Sequence, residues 1–487
     1  MTTLTRFRHS GSALAHSLSP TAWRSTFAMR PADAIFAPAM KVGIAAALVL
    51  VGGGLLGQGQ LAGVASLGAL ASAFGRYQPY PRLARILAMV AAALLISGGA
   101  GAFMGAAGVP IALQIVALSL LAGIAAHLFS AFGITGPGAV ILVFAASAGS
   151  GYAHTFDAVP QVIAAIAAGA AVGWLVAMAP VLVAPMGPAR LAVARAIASV
   201  LRLGTDRLGT DRLGTDDAGT RPGAAAVPLR LARESVALSA GAVRTGSRRA
   251  LRLQREADAL NQLLDEASSA RTLGGPGRAA ALERLARHES ELRRTWRTPA
   301  VAASAAAGGH AAPHGFVAAA GGRIGSREGR SRALRMAAAS ALSGWAAVGL
   351  GLEHPLWASM GAVAALQGLN YSVTVQRGIQ RLLGNVAGAV LALALLSVPL
   401  GFWPSVALVV AFQMLAELLV LTNYTLTTIA VTPMALIMTG LGSHLGPDAA
   451  VSRVADTLVG VVAGVLVAAL SIPLSDRAHL AHREPAG

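Results

Sequence analysis

Glu417 sits in the run VALVVAFQMLAELLVLTNYTL, where a carboxylate costs about 3 kcal/mol to insert into a bilayer. Two hundred and ninety positions earlier, VALSLLAGIAAHLFS carries His127 at the matching place (417 − 127 = 290). A titratable group at one position of two similar runs reads as a proton-coupling or substrate-facing pair. The alternatives are a helix–helix hydrogen bond, or hydration close to the cytoplasmic end of a span. Arginines open two further matching runs, Arg85 in RILAMVAAALL and Arg381 in RLLGNVAGAVL, with Arg377 one helical turn before Arg381. They suit either attraction of an anionic substrate to a cytoplasmic gate or anchoring to headgroups. Gln367, Asn370, Asn423 and Tyr424 form polar collars at the ends of apolar runs, where amides and hydroxyls cap helices or meet a carboxylate. Arg453 and Asp456, three apart, suit a local ion pair. His354, Pro355 and Trp357 open another run, with Trp357 placed as an interfacial aromatic.

Enzyme chemistry finds little footing. Gly52-Gly53-Gly54 lacks the Lys-Ser/Thr of a phosphate loop. The 11 histidines show no zinc-ligand spacing, and the chain has no cysteine to act as a nucleophile or thiolate ligand. We expect no catalytic residue, no metal and no cofactor.

The elements that must hold these residues are helices in a membrane. The chain is 55% hydrophobic and 12% charged, with mean hydropathy +0.64, about half the charge of a soluble domain. Its net charge of +17 does not point to nucleic acid. Between 189 and 335 lie 25 arginines against 13 acids, nearly without the aromatic residues that would stack on bases. Such a distribution fits cytoplasmic loops beside anionic lipid headgroups.

ASLGALASAFG from Ala65 is answered by ASMGAVAALQG from Ala358, and the runs after them follow in the same order. The expected fold is therefore an all-α integral membrane protein of about twelve transmembrane helices. They form two parallel six-helix repeats with a helical cytoplasmic insert between them. The divisions are a basic arm over 1–36, a first repeat over 37–188, a linker with amphipathic helices over 189–332, a second repeat over 333–474 and a tail over 475–487. Two amphipathic helices are expected around Leu229–Ala270 and Arg278–Arg297, a slippage linker where RLGTD occurs three times from Arg202, and a flexible return over Pro299–Gly325. Loop arginines put both termini and the insert on the cytoplasmic side of the cell membrane.

HPLWASMGAVAALQGLNYSVTVQRGIQRLLGNVAGA, from His354, resembles the signature half of the fusaric acid resistance (FUSC) family. The family's His-Pro-aromatic-Trp opening, mid-loop arginine and Arg-x-x-Gly fall on His354, Pro355, Trp357, Arg377, Arg381 and Gly384. Asn385 stands where a threonine is usual, and Leu356 where an aromatic is. NYTLTTIAVTP and RVADTLVGVVAG are similar to later segments of the family. The resemblance implies export of small organic anions, aromatic carboxylic acids among them, driven by proton exchange. It equally admits a passive anion channel, as in the related plant malate transporters, or a non-transporting scaffold. A homo-oligomer is left open.

Overall fold

A computed structural model describes residues 3–30, 35–210, 226–241, 247–273, 275–294, 315–368, 370–441, 448–473 and 476. Among these, every regular element is helical. In chain order they are α1 (Thr3–Ser17), α2 (Pro20–Thr26), α3 (Phe36–Leu55), α4 (Gly59–Ala69), α5 (Tyr80–Ala106), α6 (Ile111–Phe132), α7 (Val140–Tyr152) and α8 (Ala158–Met178). The intervening stretch forms α9 (Gly187–Thr210), α10 (Ala226–Ala240), α11 (Arg248–Ala270), α12 (Gly275–Arg294) and α13 (Phe316–Ile324). The last six are α14 (Arg327–Gly349), α15 (Pro355–Ala365), α16 (Tyr371–Leu396), α17 (Phe402–Leu419), α18 (Tyr424–Gly440) and α19 (Asp448–Leu470). The chain divides into two compact units, one of Met1–Arg76, Leu87–Ala177 and Val317–Gly487, the other of Tyr77–Ile86 and Met178–Phe316.

Among the described residues, seven helices are long and apolar enough to cross a membrane: α3, α5, α6, α8 with the turn after it, α16, α17 and α19. This is a multi-pass membrane protein. The helix α14 is as long, but its first half carries Arg327, Arg330, Arg332 and Arg335. At 11 residues each, α4 and α15 are about 17 Å long, too short for a straight span. The six helices from α3 and the six from α14 both open long, short, long, with α4 and α15 equal at 11 residues.

Small residues bring these helices together, because lipid tails supply no hydrophobic drive between them. Gly169 and Gly173 of α8 lie against the carbonyls of Ala65 and Ala69 in α4. At matching places, Gly460 and Gly464 of α19 lie against the carbonyls of Ala358 and Ala362 in α15. Each short helix is thereby enclosed, and every residue of α15 is buried. Across the two series, α3 packs on α17 and α6 on α14. Ile124, Leu128, Val390 and Leu466 are exposed, as expected of faces toward lipid.

The N-terminal arm is helical and docked. The buried amides of Gln380 and Asn423 both donate to the Thr26 carbonyl at 3.0 Å, closing the end of α2. His9 meets the carbonyl of Pro473, beyond the end of α19.

In the other unit, α9, α10, α11 and α12 bury Val193, Ile197, Leu260, Leu264 and Leu285. Arg233–Asp265 (2.9 Å), Arg82–Glu234 (3.2 Å) and Arg190–Glu256 (3.6 Å) fasten its rim. Three expectations change here. Leu229–Ala270 is two helices, α10 and α11, rather than one. The first RLGTD copy continues α9 instead of forming a linker, while the third lies outside the described residues. Residues 316–324 of the expected flexible return form α13, whose alanines favour helix, and 299–314 lie outside the described residues.

Candidate functional site: a buried arginine centre

Asn370 caps α16 by accepting from the Val373 amide at 2.9 Å, and this starts the helix ten residues earlier than the apolar run does. Arg381 therefore does not open a span. It lies inside α16, 8% exposed, because the polar first turns of the helix are themselves buried by α2 and α18. Arg85 is also internal to its helix, α5, but is exposed. The two arginines are not equivalent.

Arg377, Arg381 and Asn385 recur every fourth residue, and so share one face of α16. Gly384 lies on the same helix with its Cα against the Thr425 carbonyl at the start of α18, where a Cβ would meet that oxygen at 2.6 Å. This close approach brings in Tyr424. The Arg377 guanidinium lies over its ring, 4.3 Å from the centroid, and Arg381 Nη1 donates to its hydroxyl at 3.3 Å. Gln367 fixes Arg377 from the side, accepting from Nη2 at 3.4 Å while its own amide donates to the Pro137 carbonyl at 2.9 Å. Asn385 donates to Thr457 at 2.7 Å and accepts from Thr432, tying α16 to both α19 and α18.

The third arginine comes from α19. Arg453, 6% exposed, lies over the Trp357 ring at 4.6 Å, and His354 stacks on that ring at 4.2 Å with planes 10° apart. Asp456, one turn on, is fully buried. Its Oδ2 accepts from Ser452 at 3.4 Å, and its Oδ1 has no hydrogen-bond partner. The expected Arg453–Asp456 pair is thus a loose neighbourhood, with each group facing a different partner. The Nε of Arg377, Arg381 and Arg453 is likewise buried without a hydrogen-bond acceptor. Arg453 is in electrostatic reach of both Asp456 and Arg381, so guanidiniums outnumber carboxylates in this cluster, an arrangement with capacity for an added anion. At the rim, His354 contacts the Ser452 hydroxyl through Nδ1 at 3.1 Å. Burial holds its imidazole below the ordinary range, and Glu353 pulls the other way.

Glu417 belongs to a separate buried cluster. It is 6% exposed and forms an ion pair with Arg76, with Lys41 of α3 in electrostatic reach of both. Arg76 is 341 positions away in the chain, and its loop position marks it in the sequence only as a topological charge. His127 goes elsewhere. Its Nε2 meets the Ile324 carbonyl at 3.0 Å, in a polar cleft it shares with Ser326, Glu328 and Arg332 at the start of α14. Glu417 thus sits where α3 meets α17, and His127 where α6 meets α14.

Residues 338–467, which contain the whole arginine centre, match a family described as fusaric acid resistance protein-like. Over this stretch the chain is fusaric acid resistance-like. A further 33% identity over 123 residues links it to an uncharacterized membrane protein, YvaC, of Bacillus subtilis (strain 168). That match covers 25% of this chain and 19% of the relative, so the chain spans well under two thirds of it. No solved structure matches. These matches are consistent with a membrane transport or efflux role. The family's motif positions acquire physical roles here. His354 and Trp357 stack in series with Arg453, Pro355 opens α15 at its first turn, and Gly384 admits α18.

Proposed function

We propose that this protein exports small organic anions, aromatic carboxylic acids foremost, across the cell membrane by proton-coupled efflux. The observation that carries this reading is the pair of buried arginines Arg381 and Arg453, with half-buried Arg377 on the same face of α16 as Arg381 and the Asp456 carboxylate beside Arg453. Unpaired cationic capacity in a low-dielectric interior is costly, and a substrate carboxylate relieves that cost. The rings of Tyr424 and Trp357 hold the guanidiniums of Arg377 and Arg453 in place by cation–π contact.

The shared long, short, long opening and the paired glycine contacts support two parallel repeats with the centre built in the second. Loop arginines favour cytoplasmic termini, and anionic headgroups are their partners. Arg85, on the exposed side of α5, serves that role in this reading rather than the centre. Glu417 and His127 serve inter-segment packing at least as well as coupling, since each already has a partner from elsewhere in the chain.

The test is flux in proteoliposomes across a panel of aromatic and dicarboxylic acids, with and without a pH gradient. Saturable, pH-sensitive efflux of aromatic acids that Arg381→Gln abolishes is the expected result. Large ohmic anion currents would make the protein a channel, and no flux with any acid would leave a scaffold.

A further inference from the structure

Two buried carboxylates lie among the membrane helices, and their surroundings differ in kind. Glu417 is engaged by Arg76 with Lys41 nearby, so a proton placed on it would strand two cations in the interior. Asp456 has one oxygen free of hydrogen bonds, and its other oxygen is already joined to a hydroxyl. That hydroxyl leads outward. Ser452 has a single proton, which it donates to Asp456 Oδ2, so toward His354 it can only accept, and His354 must present Nδ1–H. The contacts His354–Ser452 at 3.1 Å and Ser452–Asp456 at 3.4 Å form one file from a half-buried imidazole to a fully buried carboxylate. The file starts at the Ser452 end of α19, whereas α1 docks at its opposite end near Pro473.

We infer that His354, Ser452 and Asp456 form a proton relay from the side of the membrane opposite α1 and α2, and that a proton delivered to Asp456 switches the arginine centre to its anion-binding state. The inference rests on the anion-site reading above. The transfer balances as follows. Hydronium at the rim gives a proton to His354 Nε2 and leaves as water; the Nδ1 proton passes to Ser452 Oγ as the original Ser452 proton passes to Asp456 Oδ2. The imidazole is left neutral with its proton on Nε2, the hydroxyl is intact, and the carboxylate has become a carboxylic acid. Exchange of the imidazole protons with rim water restores Nδ1–H.

The sign follows from the groups that face Asp456. Arg453 lies on its own helix, Arg381 comes from α16 within electrostatic reach of Arg453, and Glu353 and His354 stand just before α15. The arginines of α14 are at the far end of that helix, and α1 meets α19 only at its other end. As an ionised group Asp456 is a tethered anion competing for Arg453; once protonated it leaves that guanidinium, with Arg381 in reach of it, to the substrate. Proton and organic anion therefore favour each other's binding, by the reciprocity that linkage imposes. Acid outside the cell drives neutral weak acids across the bilayer, where they ionise and accumulate. A centre that gains anion affinity from an external proton would open export under that condition.

The probe is benzoate, bound to the purified full-length protein in nanodiscs between about pH 5 and about pH 8, where imidazole chemistry changes charge. Wild-type affinity should rise as pH falls. Asp456→Asn should bind tightly with the pH dependence lost, and Asp456→Glu should restore it. Ser452→Ala should keep the equilibrium pH dependence but slow the response to a pH jump applied outside. A second readout needs no substrate: the fluorescence difference between wild type and Trp357→Phe should titrate, and Asp456→Asn should change that titration. Benzoate affinity that is independent of pH in the wild type, or pH dependence surviving intact in a folded Asp456→Asn, overturns the relay. Absence of benzoate binding together with a Trp357 titration that responds to Asp456→Asn would leave the relay standing and remove only the substrate reading.

Discussion

At the scale of single residues, the interior charges fall into two classes that demand opposite experiments. Glu417 and Arg76 form a pair, and removing one partner leaves an uncompensated ion, so Glu417→Ala should lower unfolding stability by about 3–5 kcal/mol. Replacing both residues by apolar ones of similar volume should recover much of that loss, which a double-mutant cycle in detergent would read directly. A loss in the double variant equal to the sum of the two single losses would show that the two residues do not interact. The arginine centre behaves differently because its cations have capacity to spare. Arg381→Gln should abolish organic-anion flux with little loss of folded protein, whereas Arg85→Gln, at an exposed site, should leave flux unchanged. Efflux lost equally in both would return Arg85 to the permeation path.

At the scale of elements, the short helices depend on glycine rather than on side-chain interdigitation. A Cβ at Gly169 would meet the Ala65 carbonyl, and one at Gly460 the Ala358 carbonyl; both obstacles are backbone, which cannot rotate away. Gly169→Val and Gly460→Val should therefore each reduce folded yield and thermal stability, and by similar amounts, as measured by fluorescence-detected gel filtration after heating. A loss confined to one site would count against equivalent packing of the two helix series. Asn385 is the corresponding polar link, joining three helices through Thr432 and Thr457. Asn385→Leu leaves two buried hydroxyls without their partner and should cost about 1–3 kcal/mol.

At the scale of the whole molecule, the open question is which way the bundle faces. The chain lacks cysteine, so a single introduced thiol reports its own side. Glu353→Cys should react with an impermeant maleimide on intact cells, and Arg252→Cys only after permeabilisation, if loop arginines set topology. The reverse pattern would invert the orientation and place the His354 rim in the cytoplasm. Deleting residues 1–30 removes the carbonyls that Gln380 and Asn423 satisfy beside Arg381 and Tyr424. The truncated protein should insert but show lower thermal stability, because two buried amides lose their acceptors.

Hydropathy and helical periodicity are local properties, and they suffice to locate the membrane helices. Ile111–Phe132 has the bounds its apolar run implies, and Phe36–Leu55 differs from its run by a single residue at each end. The similar runs ASLGALASAFG and ASMGAVAALQG are legible for the same reason, since small residues where helices touch leave a pattern along the chain. What the chain cannot display is the choice of partner. Arg381 looks like the head of a span because leucines follow it, yet capping at Asn370 and cover from α2 and α18 make it an interior residue. Glu417 and His127 stand at matching positions in similar runs and still meet unlike groups, Arg76 in one case and the Ile324 carbonyl in the other. Arg453 and Asp456 suit a pair by spacing, but Trp357 draws one aside and Ser452 holds the other. Spacing along a helix fixes only the face on which a side chain emerges. Whether that face meets lipid, a counter-ion or an aromatic ring depends on helices hundreds of residues away, and so on the packed bundle alone.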